Sequence, residues 1–406
     1  MSILKIHGKD KSCNYQEGKS LLDILQESGL SLESPCGGKG YCGKCKVQII
    51  EGKLDEPTED ELKHLSKKEI EEGIRLSCLV YPKGDICVKL LDKEEKNYKG
   101  LSGGYIPDIK LNPIIRKEVI NLEKPTLENN ISYEEALEKA VGREICHDNT
   151  GFLKALSNLH KEEESTLVYY EDELIGVEAG DTKEKLYGAA VDIGTTTLVV
   201  SLIDLNTGKE IDSETSVNPQ KEYGLDVLSR IDFVKRKENG LYLLQKAIVD
   251  CINSLLKNLC HKNDIDIENV YEVAVGANAT MMHLLLGIDT ITIGKSPYAT
   301  IFSKEKNLWA ESIGIKISPF GRLYCLPGVS SFIGADIVAG AVVAGLKHTK
   351  DNVFFIDIGT NGEMILSKGG KLASCSCAAG PALEGANISC GMRAAEGAIE
   401  GIQFNE

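Results

Sequence analysis

Four cysteines constrain this chain more than any other feature. The string CGGKGYCGKC places Cys36, Cys42 and Cys45 within ten residues, and thirty-two more residues lead to Cys78 in RLSCLVYP. The loop also carries Gly37, Gly38, Gly40 and Gly43. Glycines let a backbone curl through conformations that side chains forbid and aim its amide N–H groups at sulfur. Four thiolates on a strongly curved loop are what a 2Fe–2S cluster requires, and N–H donors favour the extra negative charge of its reduced state. Zinc is the competing reading. Zinc knuckles usually pair two CxxC units at closer spacing, whereas this pattern has one CxxC, a glycine-rich lead-in and a distant fourth ligand.

The surrounding residues read as a small α+β unit. Ile3–Ile6, Lys46–Ile50 and Ile86–Leu90 have strand patterns. Ser20 caps a helix with Asp23 at its third position and Leu21, Leu22, Ile24 and Leu25 as its apolar stripe; Gly29 stops it. Thr58 and Glu61 form a capping box opening a charged helix that runs toward Gly73. Cys13 and Cys87 read as core thiols. The plant-type cluster spacing is C-x4-C-x2-C with a distant fourth cysteine. The first gap here is five residues. That spacing resembles vertebrate- and bacterial-type 2Fe–2S ferredoxins over nearly all of residues 1–92, which implies a β-grasp fold.

Thirteen cysteines, an odd number, argue against a disulfide framework. Met1–Gly8 alternates apolar and polar residues and lacks the apolar core of a signal peptide. The expectation is a cytoplasmic protein with reduced thiols. No run of about 18 apolar residues suggests a membrane span. The net charge of −15 argues against nucleic acid as the main partner.

Residues 93–112 are polar and glycine-rich and read as a linker. Residues 113–185 read as a small middle domain, with helical patterns at Tyr133–Val141 and Gly151–Leu159 and a strand at Ser165–Tyr170. From Leu186 the chain repeats itself. VDIGTTTLVVSLIDLNTGKE starts at Val191 and IDIGTNGEMILSKGGKLAS starts at Ile356, so 165 residues separate Asp192 from Asp357. Each copy is an apolar strand ending in Asp, a Gly-Thr turn, a second strand and a glycine-bearing hairpin. A period this long is a domain duplication, not a solenoid. Between the copies, Leu244, Ile248, Cys251, Ile252, Leu255 and Leu259 trace one helical face, Val270–Val275 reads as a strand and Ala335–Lys347 as a small-residue helix.

A Gly-Thr turn after an aspartate can present N–H groups and hydroxyls to phosphate oxygens. Two such aspartates facing across a cleft can hold a hydrated Mg²⁺, which takes few carboxylates and several waters. A plain strand-ending turn is the bland alternative; two copies in matching contexts favour phosphate. These residues resemble the phosphate loops of the actin, sugar-kinase and heat-shock ATPase superfamily. The resemblance implies two duplicated ribonuclease-H-like subdomains clamping ATP and Mg²⁺. Asp192, Gly194, Thr195 and Thr196 would form the first loop, and Asp357, Gly359, Thr360 and Asn361 the second.

The order of units, together with YGAAVDIGTTT, NPQKEYGLDVLSRI, VGANATMMHLLLGI and GPALEGANISCGMRAAEGAI, is similar to the reductive activators of corrinoid proteins. That resemblance covers the whole chain. It implies a multidomain α+β and α/β architecture: ferredoxin domain 1–92, linker 93–112, middle domain 113–185 and actin-like ATPase domain 186–406, with subdomains at 186–350 and 351–406. It implies one-electron reduction of Co(II) to Co(I) on a partner, either a methyltransferase or a corrinoid iron–sulfur protein, coupled to ATP and supplied by a low-potential electron donor. It assigns no catalytic residue. Family members run beyond residue 406, so the second repeat is expected to be incomplete, with a homodimer or a separate C-terminal half as ways to complete it and weak ATP binding without them. Two other classes stay open, a simple electron-transfer protein whose C-terminal region docks a partner and a redox sensor.

Other residues carry blander readings. His283 reads as a helix residue with a satisfied hydrogen bond rather than a cobalt ligand. Cys375, Cys377 and Cys390 sit among small residues with no fourth ligand nearby. Glu363 either positions Mg²⁺ or water, or is an exposed strand-edge residue. Glu162–Glu164 reads as a solvated face.

Overall fold

A computed structural model describes residues 2–8, 12–28, 30, 32, 38–40, 43–91, 110–145, 150–359 and 361–377. Alternation of apolar and polar residues builds the first sheet. β1 (Ser2–Ile6), β2 (Ser12–Tyr15), β3 (Lys46–Lys53), β4 (Ile74–Leu76) and β5 (Lys83–Leu90) pair in the order β2-β1-β5-β3-β4, with β1 and β5 parallel. α1 (Leu21–Glu27) buries Leu21, Leu22, Ile24 and Leu25 against it, and the Ser20 hydroxyl accepts from the Asp23 amide at 3.2 Å. Gly29 lies outside the described residues, and the helix is capped at Ser28.

The expected charged helix after Thr58 is two helices, α2 (Glu59–Leu62) and α3 (Lys67–Glu71). Ser66 and Glu69 form a second capping box, and a capping serine needs extended backbone, so the first helix ends before it. Cys13 and Cys87 are both half-buried; Cys13 packs against the ferredoxin core as expected, whereas Cys87 lies outside it. Cys87 alternates with buried Ile86 and Val88 and so points to the opposite face of the sheet.

The next sheet is an antiparallel meander of β6 (Ile115–Asn121), β7 (Glu164–Tyr170) and β8 (Glu173–Ala179). The sequence reading recognised β7 alone. α4 (Tyr133–Val141) and α5 (Thr150–Leu156) lie between β6 and β7, and a separate 3₁₀ turn at Leu159–Lys161 takes the end of the expected second helix. This sheet shares its core with the following one through Leu186, Tyr271 and Phe320. At Gly176 a Cβ would sit 2.3 Å from the Phe320 ring, so only glycine allows that approach. Within this sheet the buried Lys117 ammonium of β6 pairs with Glu178 of β8 at 2.8 Å, and the same carboxylate accepts from the Tyr271 hydroxyl across the junction.

A six-stranded sheet carries the first repeat. β9 (Tyr187–Ile193), β10 (Thr197–Asp204) and β11 (Lys209–Val217) form a meander. After α6 (Val227–Arg236) and α7 (Gly240–Lys262), β12 (Val270–Ala277) pairs parallel to β9. α8 (Ala279–Leu285), β13 (Lys306–Trp309) and β14 (Arg322–Cys325) complete the order β11-β10-β9-β12-β14-β13. α7 buries Leu244, Ile248, Ile252, Leu255 and Leu259 against this sheet as its periodicity requires; Cys251 is half-buried at the edge of that stripe. α9 (Ala335–Val343) is shorter than expected because Gly345 turns the chain at φ 61°. β15 (Asn352–Ile358), β16 (Gly362–Lys368) and β17 (Lys371–Cys377) repeat the meander of β9–β11. Residues 92–109 and 378–406, which hold most of the expected linker and the GPALEGANISCGMRAAEGAI segment with Cys390, lie outside the described residues.

Candidate functional site

Two of the four cluster cysteines are described. Cys45 and Cys78 are buried, with their Sγ atoms 3.3 Å apart. Cys36 and Cys42 lie outside the described residues. A disulfide would bring the sulfurs to about 2.05 Å. A tetrahedral metal with metal–sulfur bonds of about 2.3 Å would hold two ligands about 3.7 Å apart. The observed spacing is close to the second case. The local backbone explains how residues so distant in sequence meet. The Ser77 amide donates to the Cys45 carbonyl at 2.9 Å, and the Leu22 amide, at the start of α1, donates to the Ser77 carbonyl at 2.9 Å. Gly38, Gly40 and Gly43 all have positive φ, and a Cβ on Gly43 would lie 2.9 Å from His64.

Behind this loop lies a buried ion pair. The Arg75 Nε and Nη2 atoms donate to the two Glu61 carboxylate oxygens at 2.9 and 2.8 Å, and the Leu76 amide donates to the same carboxylate at 3.1 Å. Burial pushes the Glu61 carboxyl up, but Arg75 and the amides of Thr58 and Leu76 more than offset this and hold it below its ordinary value. The pair anchors β4, the strand that delivers Cys78. The hydroxyl of Ser77 is buried without a hydrogen-bond partner among the described residues, so it fits a site completed by a group that brings acceptors. The all-cysteine donor set, the glycine curvature and this spare donor fit an iron–sulfur cluster.

The second candidate lies where β9 and β15 end. In the turn from β9 to β10, interior donors take three successive carbonyls. Asn218 Nδ2 donates to Gly194, Arg230 Nη2 to Thr195 at 2.5 Å and the Asn218 amide to Thr196 at 2.8 Å. In a trans peptide the N–H opposes the C=O, so the amides of Thr195 and Thr196 point away from the interior. Asn278 Nδ2 also meets the Thr195 hydroxyl at 3.3 Å. The turn from β15 to β16 is one residue tighter: Ile358 faces Gly362, where Ile193 faces Leu198. Thr360 lies outside the described residues.

Four carboxylates gather beside these turns. Asp192 and Asp357 reach solvent, whereas Asp336 and Glu363 are half-buried. Asp357 and Glu363 are direct cross-strand partners, an unfavourable placement for like charges unless a cation lies between them. Although open to solvent, Asp192 is crowded enough that loss of water, then the charges of Asp336 and Asp357, push its carboxyl up to about 6. Asp336 is raised by burial and by Asp357, and Glu363 by burial and by Asp336 and Asp357. The sequence reading missed Asp336. It is the second residue of α9, in the first turn, and an acid there reads as a favourable helix-dipole partner, so nothing local distinguishes it.

This geometry has a pH consequence. Asp192 is raised in the folded state from 3.8 to about 6, so its protonated form favours folding. Stability without a divalent cation should therefore fall as pH rises from about 4 to about 6. A cation binds the ionised form, so Mg²⁺ should raise Tm at pH 7.5 and have little effect at pH 5. Thermal melts at both pH values, with and without Mg²⁺, check this; an equal Mg²⁺ shift at both would count against the cluster as a cation site.

His283 is buried in α8, with Nδ1 2.7 Å from the Ala279 carbonyl and Nε2 accepting from the Ile301 amide at 3.0 Å. Both ring nitrogens are engaged within the protein. Cys375 and Cys377 lie exposed on β17, and Glu162–Glu164 is exposed as expected. Glu363 belongs with the carboxylates rather than at an exposed edge.

Comparison with known proteins covers nearly the whole chain. A model of the 2Fe-2S iron-sulfur cluster binding domain matches residues 4–83 and the RACo linker region matches 107–184. The RACo middle region matches 187–349, and the C-terminal domain of RACo, the ASKHA domain, matches 351–406. The chain belongs to the RACo family. It is 30% identical over 387 residues to the corrinoid activation enzyme RamQ of Eubacterium limosum, an alignment covering 94% of this chain and 61% of that protein. It is 29% identical over 227 residues to the [Co(II) methylated amine-specific corrinoid protein] reductase of Methanosarcina barkeri, covering 53% of this chain and 40% of that one. A solved structure of a reductive activator for corrinoid, iron-sulfur protein superposes with a TM-score of 0.62 at 29% identity, over 97% of this chain and 66% of that chain. The chain thus spans about three fifths of the length of RamQ. Membership of the RACo family accounts for the ferredoxin-type sheet and for the duplicated meander.

Proposed function

We propose that this protein returns a corrinoid protein from Co(II) to Co(I) by delivering one electron, with nucleotide binding coupled to the transfer. The observation that carries the reading is the buried Cys45–Cys78 sulfur pair, in one chain with two phosphate-type turns and their carboxylates. Cys36, Cys42, Cys45 and Cys78 hold a 2Fe–2S cluster, which supplies single-electron chemistry when bound. Backbone N–H groups of the glycine-rich loop favour its reduced charge. Asp192 and Asp357, joined by Asp336 and Glu363, hold a hydrated Mg²⁺. Gly194, Thr195 and Thr196 on one side, and Gly359, Thr360 and Asn361 on the other, face the phosphates of ATP. The family relationship, and the corrinoid proteins named in the activities of RamQ and the Methanosarcina barkeri reductase, support a corrinoid protein as the electron acceptor. A low-potential donor refills the cluster.

The units are read as 1–92, 93–112, 113–185 and 186–406, and the location as cytoplasmic. Among the described residues no helix is long and apolar enough to cross a membrane. Coupling to nucleotide has a thermodynamic rationale, since each ~59 mV by which a donor falls short costs about tenfold in a one-electron equilibrium.

Anaerobic visible spectroscopy tests the proposal. A Co(II) corrinoid protein mixed with this chain and a reductant should develop the Co(I) spectrum, faster with Mg-ATP than without. Equal rates in both arms would reduce the protein to a simple electron carrier. No Co(I) with any corrinoid protein of the host would refute the reading.

A further inference from the structure

Helix α6 touches both candidate sites. Asp232 meets the Lys39 ammonium at 2.9 Å, and Lys39 stands between Gly38 and Gly40 in the cysteine loop. Lys237, just past the end of α6, pairs with Asp23 of α1, the helix whose Leu22 amide holds the Ser77 carbonyl beside Cys78. These groups retain a quarter to a half of their exposure, so the contacts are screened by salt and able to open.

On its inner side α6 carries Arg230, which is fully buried. Its guanidinium donates to the carbonyls of Gly224 at 2.9 Å and Thr195 at 2.5 Å and to Gln220 Oε1 at 3.2 Å. Loss of water pushes Arg230 down to about 9, so it stays charged at neutral pH. Arg230 and Asp232 are two residues apart, which on a helix of 3.6 residues per turn sets them on opposite faces. One short helix is therefore fastened to the cysteine loop on one side and to the Gly194–Thr196 turn on the other. Ile231 and Phe233 are buried on α6, and a packed helix moves as a unit rather than bending between its contacts.

We propose that α6 couples docking of the ferredoxin loop to the conformation of the Gly194–Thr196 turn, with Arg230 as the positioning residue for the turn and Asp232 as its counterpart at the loop. The functional meaning rests on reading that turn as a phosphate site. Coupling is reciprocal, so a polyphosphate that favours one setting of the turn changes how firmly the loop is held, and the loop acts back equally.

Hydrogen exchange read by mass spectrometry on the full chain tests this without nucleotide. Asp232→Asn should speed exchange in the peptide spanning the cysteine loop and also in the peptide containing residues 194–197. Arg230→Lys should do the same in the reverse direction. About fivefold at the distant end is expected, the low end of ordinary coupling between sites. Leu228→Ala, on the exposed side of α6, should change neither. Raising salt from about 0.05 to about 0.5 M should reproduce Asp232→Asn. Changes confined to the substituted end would overturn the proposal, as would a uniform increase over the whole sheet. If Arg230→Lys does not fold, Asp232→Asn and the salt series decide alone. Titration calorimetry with Mg-ADP is run beside it. No nucleotide binding with the cross-effect intact would remove the phosphate reading and leave the coupling standing.

Discussion

Anaerobic purification of the Cys78→Ser chain should give a colourless or zinc-bearing protein, whereas the unsubstituted chain should be red-brown with two irons and accept one electron. Cys78 is the distant ligand, buried 3.3 Å from Cys45, and a serine hydroxyl at that position replaces a soft thiolate with a hard oxygen. The loss should be all or none in visible absorbance and in the reduced-state paramagnetic signal. Cys42→Ser should behave alike. Cys87→Ser should leave the spectrum unchanged, because Cys87 points to the other face of its sheet, away from buried Ile86 and Val88. Zinc without iron in the unsubstituted protein would reverse the assignment.

Arg75→Ala should destabilise the ferredoxin unit by about 3–5 kcal/mol, the usual cost of leaving one partner of a buried pair uncompensated. Glu61 is fully buried and takes two guanidinium hydrogen bonds and the Leu76 amide, so removing Arg75 strands a carboxylate. The double variant Glu61→Met with Arg75→Met should recover much of the loss, because removing both charges removes the desolvation cost. The pH dependence has a definite sign. Glu61 is held below its ordinary 4.5, so its contribution is complete above that value and is lost as pH falls through the lowered one. Urea midpoints of the unsubstituted chain and the two variants at pH 7 check the energies, and a single-variant loss under about 1 kcal/mol would show the pair to be solvated in practice.

Where local chemistry decides the outcome, the residues alone gave the answer. Ser20 and Thr58 cap helices because their hydroxyls reach backbone amides three residues on. The glycine-spaced cysteines declare a metal loop, and the two DIGT strings declare a duplicated meander because each carries its own strand–turn–strand pattern. Local chemistry misled in two places. The charged stretch after Thr58 has helical propensity throughout, but Ser66 restarts the helix. Cys87 looks apolar in sequence, yet strand alternation turns it away from the core.

What the sequence could not show is convergence. Asp336 looks like a helix-capping acid until the parallel pairing of β9 with β12, and α9 packed beside β12, bring it within electrostatic reach of Asp192. Arg230 reads as one more surface cation of an amphipathic helix until α6 packs it beneath the Gly194–Thr196 turn. The tie between Lys39 and Asp232 joins residues almost two hundred positions apart. Hydrophobic periodicity, caps and turns act over a few residues, so they are written in the chain. Which charges share a cleft depends on strand order and helix docking, which only the packed cores determine.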